Sequence, residues 1–177
     1  MSKELEINIK NSIRDVPDFP KKGILFKDIT PILLDSQLTN NIAQALADAH
    51  KHKKIDAVAG IESRGYLFGV LLAQKLEVPF ILIRKAGKLP AKTLQQSYKL
   101  EYGSATIEVH EDAVKENSNV LIHDDLLATG GTAEAAAFLV QQKANVAGFS
   151  FVISLSFLNG VESLQKITPN ITSLITY

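Results

Sequence analysis

The chain has 177 residues, of which 19 are Lys or Arg and 19 are Asp or Glu, with a formal net charge of zero and no cysteine. That length suits one α/β domain with its own core, and the charge balance provides no global field for nucleic acid or an anionic membrane surface. The lack of cysteine excludes disulfides and thiol chemistry and suits a cytoplasmic compartment, while no segment has the apolar length of a bilayer span or a signal peptide core.

Leu5, Ile9 and Ile13 recur at near-helical spacing, so residues 3–14 read as a short amphipathic helix that Pro17 and Pro20 end. "DFPKKGILFKDITPILLD" follows, and its Pro and Gly punctuation predicts irregular chain with a short strand around 24–26. A helix is expected from about Asn40 to His52, capped by Thr39 or Asn40, with Ile42, Ala45, Leu46 and Ala49 facing inward. "IDAVAG", "IESRG", "YLFGVLLAQKL" and "VPFILIRK" then read as strand, loop, helix and strand, the signature of a parallel crossover. Residues 86–104, "AGKLPAKTLQQSYKLEYGS", hold neither period, and a long excursion of this kind is functional or mobile. "ATIEVH" resumes as a strand, "VLI" opens a buried one, "AEAAAFLVQQKA" is a helix and "VAGFSFVISLSFL" a last strand. The pattern predicts one domain over residues 1–177, an α/β fold with a mostly parallel central sheet and helices on both faces. Ligands of such sheets bind beyond the C-terminal ends of the strands.

The chemistry concentrates in "VLIHDDLLATGGTAEA". Its apolar strand runs into Asp124 and Asp125, and a loop of small residues, Ala128, Thr129, Gly130, Gly131 and Thr132, leads into the helix. Glycines let backbone amides converge on an anion, the helix N-terminus adds free amides, and the threonines add hydroxyl donors. Carboxylates would repel that anion; they suit vicinal hydroxyls or a hydrated divalent cation. A phosphate at one end and a diol nearby describe a phosphorylated ribose. The same residues also fit an ordinary Asp-capped turn. No Lys follows the glycines and the dinucleotide glycine spacing is missing, so neither common nucleotide loop applies. Elsewhere, Arg64 in "GIESRG" offers a bidentate partner for an oxyanion. Arg84, Lys85, Lys88 and Lys92 gather cations at another strand end, which suits a polyanion.

"VLIHDDLLATGGTAEAA" resembles the phosphoribosyl pyrophosphate motif of the type I phosphoribosyltransferases. "PDFPKKGILFKDITPIL", "VAGIESRGYLFG", "LIRKAGKLP" and "YKLEYGSATIEVH" resemble segments of the adenine-using members of that family, in the same order. The resemblance implies a short N-terminal hood and a flexible lid at about residues 86–104. It also implies transfer of 5-phosphoribosyl from its pyrophosphate donor to N9 of adenine, with Mg²⁺ held mainly by the substrate, giving AMP and pyrophosphate. On that mapping Asp124 and Asp125 hold the ribose diol, and Ala128 to Thr132 hold the 5′-phosphate. Glu62, Ser63, Arg64, Arg84, Lys85 and Lys88 face the pyrophosphate, with a cis peptide before Ser63. Leu25, Phe26, Lys27 and Leu155 surround the adenine; Glu101 in the lid is the catalytic residue at the N7 side, with Tyr102 beside it. The resemblance further implies a cytoplasmic homodimer with no nucleic-acid or membrane partner. The chain departs from the family at Lys27, where Arg is common, at His123, where Val or Ile is common, and at Ser154, where Glu is frequent.

Overall fold

A computed structural model of the chain describes residues 1–99 and 103–177. Helix α1 (Lys3–Ser12) starts where the Ser2 side chain accepts from the Leu5 amide, and it buries Ile9. Strands β1 (Arg14–Pro17) and β2 (Leu25–Asp28) pair antiparallel as a two-stranded sheet of their own. A 3₁₀ turn, Thr30–Leu34, leads into α2 (Ser36–His50). This helix begins a turn earlier than Thr39 or Asn40, because Asp35 Oδ1 accepts from the Leu38 amide at 2.9 Å and caps it there. Its inward face comprises Leu38, Ile42, Ala43, Leu46, Ala47 and His50, so Ile42 and Leu46 are buried as expected while Ala45 is half-buried and Ala49 exposed.

The main sheet has the order β5-β6-β4-β3-β7-β8-β9. Its parallel centre comprises β3 (Ala57–Ile61), β4 (Phe80–Lys85), β7 (Asn119–Leu127), β8 (Asn145–Ser154) and β9 (Ile171–Thr176). At one side β5 (Thr93–Lys99) and β6 (Ser104–His110) form an antiparallel hairpin, which joins β4 through Arg84 and Lys85. The stretch 86–104 thus contains a strand. Its alternation is hidden because Thr93, Gln95 and Ser97 share the register with polar partners on β6 rather than with a core.

Side-chain alternation along β3 and β7 builds two cores. Ala57, Ala59, Ile61, Val120 and Ile122 pack with the alanines of α4 (Gly131–Gln141) and with Leu164 of α5 (Gly160–Gln165). Val58 and Leu121 pack with Ile9, Ile42, Leu46 and with Phe68 and Leu72 of α3 (Gly65–Lys75). The small glycines of β3 and α3 have a steric reason. A Cβ on Gly69 would lie 2.7 Å from the Phe80 ring, and one on Gly60 would strike the same ring. Among the described residues no helix is long and apolar enough to cross a membrane.

Candidate active site

Strand β7 continues through Asp124 and Asp125 to Leu127, and the chain then turns through Ala128 and Thr129 into α4. Gly130 takes φ +87° at the helix start, a left-handed conformation that glycine adopts without penalty. A Cβ on Gly131 would meet nothing within 4 Å, so the loop faces open space there. On its other side the loop is tightly backed. Gly160, at the start of α5, is so close to the Ala128 carbonyl that any side chain would collide. Arg64, Asp124, Leu127, residues 128–133 and Phe151 enclose a concavity of about 200 Å³. Larger hollows lie elsewhere, one of about 520 Å³ between α1, α2 and β9, but no group of cations or strand-end acids faces it.

The loop after β3 presses onto this strand. A Cβ on Gly65 would stand 2.8 Å from the His123 carbonyl oxygen and 3.0 Å from Asp124 Oδ1, so glycine permits the approach. The Glu62–Ser63 peptide bond is cis. Arg64 emerges here with Nε 3.2 Å from Asp125 Oδ2 and its guanidinium carbon 5.0 Å from the centre of the Phe26 ring. Burial pushes the Asp124 carboxyl well above the usual carboxylate range, and the neighbouring charge of Asp125 adds to this. Burial raises Asp125 as well, against the opposing pull of Arg64. Asp125 Oδ2 is buried without a hydrogen bond among the described residues, so the Arg64 contact is an ion pair of poor hydrogen-bond geometry.

Glu62, from the same loop, accepts from Arg84 Nε at 3.2 Å and from the Lys85 amide at 3.0 Å. Burial raises its pKa, but the Lys85 amide and Arg84 outweigh that and hold it below the ordinary range. Arg84 also donates to the Lys88 carbonyl at 3.0 Å. Lys85 and Lys88 are exposed beside it. Lys92, expected with these cations, turns away instead and pairs with Glu111 at 2.8 Å.

The expected base residues lie on the hairpin, with Leu25 and Phe26 on β2 and Phe19 edge-on to Phe26 at 5.1 Å. Leu155 follows β8, and its amide donates to the Leu127 carbonyl at 2.9 Å, which ties it to the glycine loop. Glu101 and Tyr102 lie outside the described residues.

A phosphoribosyl transferase domain model matches residues 32–154. The chain is 49% identical over 174 residues to the adenine phosphoribosyltransferase of Cytophaga hutchinsonii, covering 98% of this chain and 96% of that one. It is 52% identical over 170 residues to that of Ureaplasma parvum, covering 96% of each. The chain belongs to the phosphoribosyltransferase family. Among solved structures of the family, adenine phosphoribosyltransferase from Thermoanaerobacter pseudethanolicus superposes with a TM-score of 0.93 at 49% identity, covering 97% of this chain and 99% of that one. The Saccharomyces cerevisiae enzyme, complexed with an imino-altritol bisphosphate and adenine, gives 0.90 at 40%, covering 98% of this chain and 100% of that one.

Two features of this family member escape a reading of the sequence. Glu108 is buried, and it accepts from the Lys88 and Leu89 amides, both at 2.9 Å, and from Gln95 Nε2 at 3.2 Å. Burial raises its pKa, yet the amides of Leu89, Gly87 and Lys88 and the Gln95 side chain more than compensate, leaving it lowered. A charged residue between Ile107 and Val109 was the available signal. Gly160 gave none, because its role is a close approach to Ala128 across a long stretch of chain.

Proposed function

We propose that this protein is an adenine phosphoribosyltransferase of purine salvage, joining 5-phosphoribosyl from 5-phosphoribosyl 1-pyrophosphate to N9 of adenine to give AMP and pyrophosphate. The observation that carries the reading is the convergence on Arg64. An aromatic ring suited to a base lies 5.0 Å from its guanidinium, a strand-end carboxylate suited to a sugar lies 3.2 Å from its Nε, and a glycine-lined cradle opens beside them. The full-length relatives in the same family support it.

In this reading the carboxylates of Asp124 and Asp125 accept from the ribose hydroxyls, while amides and hydroxyls of Ala128, Thr129, Gly130, Gly131 and Thr132 hold the 5′-phosphate. Ser63, Arg64, Arg84, Lys85 and Lys88 receive the pyrophosphate, whose negative charge grows as it departs. Glu62 is an anion, so it serves by aiming Arg84 rather than by touching phosphate. Phe26 stacks on the purine, the backbone of Leu25 and Lys27 reads its edge, and Leu155 forms the opposite wall. The N9–C1′ bond forms as the C1′–O bond breaks, with the bonding pair leaving on pyrophosphate. Glu101 faces the N7 edge, where the base's surplus proton is taken up or its position fixed. Closure of residues 86–104, with Tyr102 beside Glu101, keeps water from the oxocarbenium-like sugar.

Asp124 and Asp125 supply two carboxylates at the sugar end, which fit a divalent cation that arrives with the donor. When bound, Mg²⁺ would supply positive charge to offset that of the leaving pyrophosphate. A cytoplasmic homodimer completes the reading. Leu67 and Val70 on α3 and Leu82 on β4 are apolar side chains with 38%, 48% and 42% of their surfaces exposed, and burial against a second copy would cover such surface. The test is to supply donor, Mg²⁺ and each nucleobase in turn. AMP and pyrophosphate from adenine alone are expected; turnover of hypoxanthine or guanine instead, or none with any base, overturns the reading.

A further inference from the structure

We propose that Lys27 and Tyr177 form a clasp that positions the β1–β2 hairpin over the base site, so that a residue beyond the far edge strand of the sheet sets affinity for the purine. The inference rests on the adenine reading above and assigns a task to two side chains which that reading leaves idle.

The Lys27 side chain is only 11% exposed, unusual for a residue whose ammonium is strongly hydrated. Its Nζ lies 2.6 Å from Asp15 Oδ1 on the partner strand of the hairpin and 4.0 Å from the centre of the Tyr177 ring. The first contact is internal to the hairpin, and Asp15 is 52% exposed, where an ion pair contributes little. The second contact leaves the hairpin. An ammonium over an aromatic face, partly removed from water, is an attractive pair of definite geometry.

Tyr177 is a fixed post for this contact. Its amide donates to the Ser154 carbonyl at 2.9 Å, and its carbonyl accepts from the Ser156 amide at 2.9 Å and from Ser156 Oγ at 2.6 Å. These bonds flank Leu155 on both sides. The clasp therefore joins the hairpin that carries Phe26 to the segment that carries Leu155, the two walls proposed for the base. The hairpin is a two-stranded sheet apart from the main one, and an isolated pair of strands is marginal alone. Its height above the site must come from contacts such as this one. The acid pair and the Arg84–Glu62 pair stand on other elements, and neither Lys27 nor Tyr177 contacts them.

The test compares Tyr177→Leu, Lys27→Met and their double variant with Tyr177→Phe and Lys27→Arg. The last two keep the ring and the cation. Steady-state rates are measured with adenine, the phosphoribosyl donor and Mg²⁺, and amide hydrogen exchange of residues 14–28 is followed without ligands. Tyr177→Leu and Lys27→Met should each raise the adenine KM about 3- to 10-fold, the range of one such pair, with the donor KM within about twofold of wild type. The double variant should be no worse than the poorer single, Tyr177→Phe should keep the wild-type adenine KM, Lys27→Arg should keep the wild-type exchange of the hairpin, and hairpin amides should exchange faster in both disruptive variants. An unmoved adenine KM, an equal rise in both KM values, or full additivity in the double variant overturns the clasp. If the wild type makes no AMP, the adenine reading fails, and unchanged exchange of the hairpin in Tyr177→Leu and Lys27→Met then overturns the clasp separately.

Discussion

At the level of single residues the acid pair carries a conflict. Burial and mutual repulsion raise the pKa of Asp124, which means that its charged form is disfavoured in the folded chain relative to the unfolded one. Above the ordinary carboxylate range that charge therefore works against stability, and only a ligand offering hydroxyl donors recovers the loss. Asp124→Asn keeps the shape and removes the charge. Its melting temperature should rise, while kcat/KM for the donor falls about 10-fold or more, the size of a lost hydrogen bond to an ion. Melting curves together with donor kinetics check this, and a variant that loses both stability and activity would contradict it. These two carboxylates were legible from the sequence because they interrupt an apolar strand just before a glycine loop. Tyr177 was not, because its contact with Lys27 joins opposite ends of the chain and neither residue type stands out where it occurs.

At the level of elements, β6 steadies the cation loop through one buried carboxylate. The two amides that Glu108 accepts belong to Lys88 and Leu89, and the Lys88 carbonyl in turn receives Arg84. Glu108→Gln removes the charge, keeps one acceptor oxygen and puts an amide NH2 donor where the other stood, so the loop loses part of its anchor. The donor KM should rise about 5- to 20-fold, in line with a weakened charge-assisted bond, and the adenine KM should stay near wild type. Separate substrate titrations distinguish this from general loss of fold, which would lower kcat alone through the active fraction. The elements that could not be read in advance have two causes. The start of α2 depends on Asp35 rather than on the next polar residues, and β5 depends on its partner β6 rather than on its own alternation. Strand β9 was missed as well, since "ITSLIT" looks like loop until it lies against β8, with Phe149, Phe151 and Ile153 opposite Ile171, Ser173 and Ile175. Pairing decides both strands and lies outside any local window, whereas the start of α2 turns on which of several nearby polar side chains caps it.

For the molecule as a whole, two imidazoles set the acid limit. His50 and His123 are fully buried with no hydrogen-bond partner for either ring nitrogen among the described residues. Burial lowers His123 from 6.5 to about 3, with the charge of His50 adding to it. Burial likewise lowers His50 to about 4, with Lys53 adding to it. The unfolded chain therefore binds protons below about 6.5 that the folded chain refuses. The stability these groups provide is complete above that value and drains away as the pH falls toward the folded values. By pH 5 the loss should be about 2 kcal/mol for each ring. Urea unfolding from pH 7.5 to 5 should show a falling midpoint, and His123→Val should flatten the decline by about half. A midpoint independent of pH in the wild type would refute this account.

The separate pairing of β1 with β2 has a consequence for how such a protein changes over time. Everything proposed to grip the sugar and its phosphates grows out of the central strands and their flanking turns, where a shift in one backbone disturbs its neighbours on both sides. The hairpin proposed to carry one wall of the base site pairs outside that lattice, with its own register, and meets the rest of the molecule through side chains such as Lys27 and Phe26. Lineages can thus rewrite residues 14–28 to favour a different heterocycle while inheriting the donor machinery intact, and diversification in this fold should run through its smallest sheet.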